Sequence, residues 1–368
     1  MQLIPASRLA KADKILFIAH LAIGDFTYLQ NFFQAFSQAH PHVQVHIWID
    51  EVRRTSDEAK WGYLKNYALY DWAEQCPFFA KVYRRTYSPQ LLAESIAEAR
   101  SEHYPLVVSL ATLRPPQYAR LARQVGPDAW VVGMRRKPRW YAPSDWLAYR
   151  GLDASFARFS PFDGYHITDE YAHWFRQLSG LEVNGEQRLP FVDIPDQWQQ
   201  CAQSQLLEWG VENPTTASGK PALVFINPFA KTKKRCWPVA RVADLIQALQ
   251  ARPEWAQTRF VINATPQEIE QAKAQIADRL PPNTYWFSAQ QSFFQLPAIL
   301  QRCGLIISVE TAVMHLANAV HVPVVALMRR KNPEWAPIDR ARSTVVMAAR
   351  RSDWVDAIPM EQVLEVLS

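Results

Sequence analysis

SVETAVMHLANAVHVPVVAL, residues 308–327, ends one apolar run at Glu310-Thr311, carries His315 through an interval of helical spacing and opens a second apolar run. The preceding LIISV (305–309) is short, unbroken and rich in branched side chains. That composition suits a strand covered on both faces of a parallel sheet. The stretch therefore reads as strand, helix, strand, with polar groups at its first turn. A ligand site belongs at the carboxyl end of such a strand. There the free N–H groups of Thr311 and Ala312 and the helix dipole favour an anion such as a diphosphate.

The same rhythm extends outward. ALVFINP (222–228) and RFVINA (259–264) read as strands, with helices expected from Val239 to Ala251 and from Pro266 to Arg279. In the first half KILFIAH (14–20) precedes the turn LAIGD, and Phe26, Leu29, Phe32, Phe33 and Phe36 recur at helical spacing. VQVHIWID (43–50), PLVVSLA (105–111) and AWVVGM (129–134) are further strands, and YAHWFRQLSG a helix. Strands separated by helices predict an α/β chain with two doubly wound parallel sheets. The expected division is a first Rossmann-like domain over 1–175, a crossing over 176–220, a second such domain over 221–350, and a helix within 351–368 that packs back across the junction. Two such halves leave a cleft between the carboxyl ends of their sheets.

Composition agrees: 368 residues suggest two domains, and 49% hydrophobic with 20% charged residues is ordinary for a globular chain. The net charge is +5, but cations cluster in Arg135-Arg136-Lys137 with Arg139, in Lys231 to Arg235 and in Arg329-Arg330-Lys331. Such clusters point to acidic small molecules or an anionic membrane surface rather than a nucleic-acid track. The four scattered cysteines read as reduced thiols, and no apolar stretch approaches the roughly 20 residues that span a bilayer. A cytoplasmic protein, touching the inner membrane at most peripherally, is expected. No G-x-G-x-x-G follows the first strand and no P-loop occurs, which removes support for dinucleotide redox chemistry and P-loop hydrolysis. No cofactor is expected, and no clustered ligand spacing marks a metal site.

The order of four motifs resembles glycosyltransferase family 9, the lipopolysaccharide core heptosyltransferases. IAHLAIGDFTYL matches the family's first strand, Gly-Asp loop and helix at Gly24 and Asp25. FINPFAKTKKRCWP is similar to the opening of its second half through Trp237 and Pro238, and NATPQEIEQAK supplies a glutamate, Glu268, early in the next helix. ETAVMHLANAVHVP resembles its Asp-[ST]-Gly-x-x-His-Leu-Ala motif at Thr311, His315 and Pro323. Glu310 stands where the family usually has Asp, and Ala312 where it usually has Gly. The family's basic residue lies two positions before the tryptophan, here Arg235, with Lys234 one further back.

The resemblance implies a GT-B fold and an inverting, metal-independent transfer of heptose from an ADP-heptose donor to the lipopolysaccharide core. It makes Asp25 the general base; read locally, Asp25 is equally an N-cap for a helix starting at Phe26. Lys234 and Arg235 are the expected stabilisers of the leaving diphosphate, with Lys231 and Asn227 beside them, unless the run is a solvated basic loop. Glu268 either accepts from ribose hydroxyls or stabilises its helix's first turn, and Glu310 either faces sugar hydroxyls or caps its helix. Thr311 and Ala312 would hold phosphate; His315 is either a ligand contact or a hydrogen-bonded core residue. On the acceptor side Gly24 joins Arg53, Arg54, Lys60 and Lys65, which suit a phosphorylated or acidic sugar or else line an exposed helix. Arg135, Arg136, Lys137 and Arg139, interleaved with Trp140 and Tyr141, suit anionic lipid headgroups. A transferase using another nucleotide sugar such as a UDP-sugar, and a non-catalytic nucleotide-sugar-binding protein, are the alternatives.

Overall fold

An apolar strand without polar alternation must be covered on both faces, and parallel strands joined by helices supply that cover. The computed structural model, which describes residues 2–65, 68–136 and 143–367, divides into two units. Unit 1 is Met1–Asp163 with Thr168–Arg188; unit 2 is Gly164–Ile167 with Leu189–Ser368.

Unit 1 carries β1 (Lys14–Ala19), β2 (Gln44–Ile49), β3 (Lys81–Tyr83), β4 (Leu106–Ser109), β5 (Trp130–Gly133) and β6 (Ala154–Ser155). They pair in parallel in the order β3-β2-β1-β4-β5-β6. Unit 2 carries β7 (Leu223–Asn227), β8 (Arg259–Asn263), β9 (Thr284–Phe287), β10 (Leu305–Val309), β11 (Val324–Met328) and β12 (Ser343–Met347). Their order is β12-β11-β10-β7-β8-β9, again all parallel. Counted from each unit's first strand both sheets follow the doubly wound order 3-2-1-4-5-6, which reverses between β1 and β4 and between β7 and β10.

Aromatic packing fixes the first sheet. The helix Ile23–Ala39 sets Phe33 and Phe36 edge-on to Phe17 of β1, at centroid distances of 5.1 and 5.5 Å. Phe175, from the helix Ile167–Ser179, stacks on Phe17 from 6.0 Å. The sequence boundary at 175/176 thus falls inside a helix whose Tyr171, Trp174, Phe175 and Leu178 are buried. The helix Ile23–Ala39 begins three residues before the expected Phe26, because the Asp25 carboxylate reaches back from inside the first turn to the Ala22 N–H at 3.0 Å. Asp25 is therefore not an N-cap.

In unit 2 the helix Val239–Gln250 places Val242, Leu245, Ile246 and Leu249 on one face, all fully buried. Its partner is the final helix, Met360–Glu365, which packs on it within unit 2 and buries Val363. Trp237, 1% exposed, donates its indole N–H to the Ile358 carbonyl at 3.0 Å, and Arg241 donates to the same oxygen at 2.9 Å. The supposed crossing contains a helix, Asp196–Glu208, that packs on Gln295–Leu300. The helix from Pro266 ends at Ile276 and tightens into a 3₁₀ turn over Ala277–Arg279. No helix among the described residues is long and apolar enough to cross a membrane.

Trp237 both fills the unit 2 core and ties down the C-terminal segment. Trp237→Ala is expected to cost ~3–5 kcal/mol in urea unfolding followed by circular dichroism. Trp237→Phe, which keeps most of the volume but loses the indole donor, should cost markedly less.

Candidate active site

Asp25 lies in the first turn after β1, at the switch point of the first sheet. Its side chain is half-buried and receives two neutral donors, the Ala22 N–H at 3.0 Å and the Tyr171 hydroxyl at 3.4 Å. Burial raises its pKa above the ordinary Asp value; those two hydrogen bonds and the nearby His20 oppose the shift without cancelling it. Desolvated, with no ion-pair partner among the described residues and more basic than a surface aspartate, it is suited to take a proton. Gly24 occupies the same turn. His20 Nδ1 lies 3.3 Å from the Asp50 carbonyl.

Three of the expected acceptor cations, Arg53, Arg54 and Lys60, are already engaged. Arg54 makes a two-pronged pair with buried Asp50 at 2.7 and 2.8 Å, and Tyr118 donates to the same carboxylate at 2.8 Å. Arg53 grips buried Glu51 through Nε at 2.8 Å and Nη2 at 2.6 Å. Lys60 pairs with Asp57 at 3.0 Å in the 3₁₀ turn Glu58–Lys60. Arg53 and Arg54 thus shape the exit of β2 as ion pairs. Lys65 closes the short helix Trp61–Lys65; its side chain, and all of Lys137, Arg139, Trp140 and Tyr141, lie outside the described residues.

In unit 2 the neighbouring strands β11, β10, β7 and β8 end in a row of polar residues: Arg329, Glu310, Asn227 and Asn263. Buried Asn227 donates to Thr311 Oγ1 at 3.0 Å and Ser308 Oγ at 3.2 Å, and accepts from Asn263 Nδ2 at 2.8 Å. Thr311 caps the helix Ala312–Ala319, accepting from the Val313 N–H at 3.3 Å. Asn227 therefore braces three strand ends.

Glu310 is 7% exposed and is held by Arg329, through its guanidinium and through its backbone N–H at 3.2 Å. Arg235 reaches the same carboxylate at 3.3 Å. The acid expected to meet sugar hydroxyls or to cap a helix instead neutralises part of a basic pocket. Lys233, Lys234, Arg235, Arg329 and Lys331 line that pocket of ≈510 Å³, with Asn332 and Trp354. Lys234 stands over the Trp354 ring at 5.4 Å. Lys231 and Lys233 are exposed and have no side-chain partner among the described residues. Such a pocket is suited to a multiply charged anion.

Glu268 closes a capping box, accepting from the Thr265 N–H at 2.8 Å and its hydroxyl at 2.9 Å, all through Oε2. His315 is 4% exposed, with its ring 5.9 Å from Trp335. Burial, with a smaller effect from His166, pushes its imidazole down to about 3, so it is a neutral core histidine at physiological pH. Sequence reading missed Tyr171, Asn263 and Trp354, and marked Arg329 only as part of a cation cluster.

Among solved structures the chain is similar to a family 9 glycosyltransferase from Veillonella parvula, at 18% identity and TM-score 0.76, with 96% of each chain covered. It is also similar to Escherichia coli ADP-heptose LPS heptosyltransferase II, at 14% and 0.66, covering 96% of this chain and 97% of that one. E. coli heptosyltransferase WaaC with ADP matches at 15% and 0.65, covering 96% and 98%. Comparison with curated protein sequences finds no match. The structural likenesses carry the fold, and two sheets of this order define the architecture of the GT-B glycosyltransferases. The chain belongs to glycosyltransferase family 9 (heptosyltransferase), whose model matches residues 130–355, more than half its length.

The geometry separates two roles for cations. Glu310→Gln leaves buried Arg329 without its counter-charge and is expected to lower stability by ~3–5 kcal/mol in urea unfolding. Arg235→Gln, whose guanidinium side chain is 44% exposed, should cost under ~1 kcal/mol in the same assay.

Proposed function

We propose that the protein is an inverting glycosyltransferase that moves heptose from ADP-heptose onto the core oligosaccharide of lipopolysaccharide. The observation that carries the reading is the division of chemistry. Unit 1 bears a desolvated carboxylate with raised proton affinity, and unit 2 bears a pocket dominated by cations. The names of the two E. coli neighbours supply the sugar and, for one of them, the nucleotide donor.

In the proposed mechanism Asp25 takes the proton of an acceptor hydroxyl as its oxygen attacks the anomeric carbon from the face opposite the diphosphate. The bond from that carbon to the diphosphate oxygen breaks, and the configuration inverts. Lys234 and Arg235, with the amides at Thr311 and Ala312, stabilise the charge that develops on the leaving group. Lys231 adds a solvent-facing charge. Because side chains supply this stabilisation, the reaction is proposed to need no metal, and activity should persist in chelator. Glu268, with Oε1 turned from its capping box, is proposed to accept from the ribose hydroxyls. Gly24 and the β2 exit around Arg53, Arg54, Lys60 and Lys65 are assigned to the acceptor. His315 stays in the core.

One observation bears on the choice of donor sugar. Glu310 is tied to two arginines, so a sugar-hydroxyl contact at this position would have to compete with ion pairs. A different nucleotide sugar, such as a UDP-sugar, fits that constraint with the same mechanism.

Mass spectrometry of a truncated lipopolysaccharide acceptor, incubated with ADP-heptose or with UDP-sugars, decides between them. A heptose increment is expected with ADP-heptose. An increment only with a UDP-sugar would overturn the donor, and none with any donor would favour a binding protein. Asp25→Asn should lower the rate ~10²–10⁴-fold while leaving donor affinity unchanged. Because the base works deprotonated, wild-type activity should fall as pH drops through a pKa above the ordinary ~3.9 of Asp. Tyr171→Phe removes a bond that favours the carboxylate and should move that limb further up, which a pH–rate profile reads directly.

A further inference from the structure

Residues 114–158 hold nine Lys and Arg against three Asp, an excess of six in a chain whose total excess is five. The positive charge of the whole protein therefore sits in this one segment of unit 1. Within it the short helix Pro143–Tyr149 packs on the helix Pro115–Val125, and Arg120 joins them by donating to the Ser144 carbonyl at 2.7 Å. Large apolar side chains stand out from the same region: Leu113 is 61% exposed, Trp146 55% and Leu147 64%. Arg135, over the Tyr149 ring at 5.5 Å, and exposed Arg150 lie beside the short helix. The helix's single acid, Asp145, is turned to Arg136 at 3.4 Å.

We propose that this surface, Trp146 and Leu147 of the short helix with Arg120, Arg135, Arg136 and Arg150 beside it, docks the protein on a bilayer containing anionic phospholipid. Cations with an indole and aliphatic tips between them match the headgroup boundary, where charge attracts and the apolar tips enter. A nucleic-acid backbone offers phosphate to the arginines but nothing to exposed Leu147. The helices follow β4 and β5, so they start from the carboxyl edge of the sheet that also carries Asp25 after β1. Docking there would bring Asp25 toward a lipid-borne acceptor. That purpose rests on the proposed function, whereas the surface itself does not.

The test is co-sedimentation of the full chain with phosphatidylcholine vesicles, with and without phosphatidylglycerol, alongside transfer to a delipidated, soluble acceptor. Binding is expected only with phosphatidylglycerol and should fall as salt rises. Arg135→Gln with Arg150→Gln should weaken it by about fivefold per charge. Trp146→Ser with Leu147→Ser should weaken it at least ~10-fold. All variants should keep the wild-type melting temperature and soluble transfer. Absence of vesicle binding, equal binding to neutral vesicles, or binding indifferent to Trp146→Ser with Leu147→Ser would overturn the proposal. So would equal capture by soluble polyglutamate, which would indicate an acidic protein partner. Vesicle binding without transfer would sink the functional reading alone; transfer without vesicle binding would sink the surface alone.

Discussion

Parallel pairing governs this molecule. A parallel strand cannot be joined to its neighbour by a tight turn, so each crossover must return over a face of the sheet, and every strand then ends at the same edge. Neighbouring ends lie ~4.8 Å apart. In unit 2 this sets Arg329, Glu310, Asn227 and Asn263 side by side although they are spread over about a hundred residues of chain. The polarity along that edge, an arginine–glutamate ion pair at β11 and β10 and amides at β7 and β8, follows from strand order.

Such an edge is useful only if it is stiff. Free strand ends with long polar side chains would reorganise around a ligand and lose part of the electrostatic gain. Asn227 prevents this by joining β7, β8 and the turn after β10 through one amide group. Its burial would be costly if any of those bonds were unmade. Glu310 does the corresponding work for the cations: it fixes Arg329 at the base of the pocket and draws Arg235 toward it. The capping box of Glu268 aligns the helix after β8 in the same way.

Much of this was legible in sequence because a doubly covered strand leaves an unmistakable apolar run. LIISV is β10 without adjustment, β1, β2, β4, β5, β7 and β8 lie within the quoted runs, and β11 runs one residue past its quoted stretch, to Met328. The missed strands are those at or near sheet edges. β3 and β6 are three and two residues long, and β9 and β12 each have a single buried position among half-buried or exposed ones, so none builds a continuous signal. The helix Asp196–Glu208 buries only Ala202 and Leu206, too little for a periodic pattern. Site partners were harder to find than site residues. Tyr171 meets Asp25 across 146 positions, and no local pattern encodes that contact. The family motif pointed to the acid at Glu310, but what it touches depends on Arg329, which lies on a different strand's exit.

The contrast between the two half-hidden acids shows why only one of them is suited to chemistry. Among the described residues Asp25 accepts from neutral groups, a peptide N–H and a phenol, and burial makes its charged form less comfortable. Its affinity for a proton is therefore raised, as a base requires. Glu310 is buried more deeply, yet it faces the guanidinium groups of Arg329 and Arg235, so its charge is already matched. An uncharged side chain in its place would strand a buried arginine. Residue type alone assigns neither role. The nature of the donors around each carboxylate does, and neutral donors leave Asp25 free to exchange a proton while cationic ones commit Glu310 to holding the pocket together.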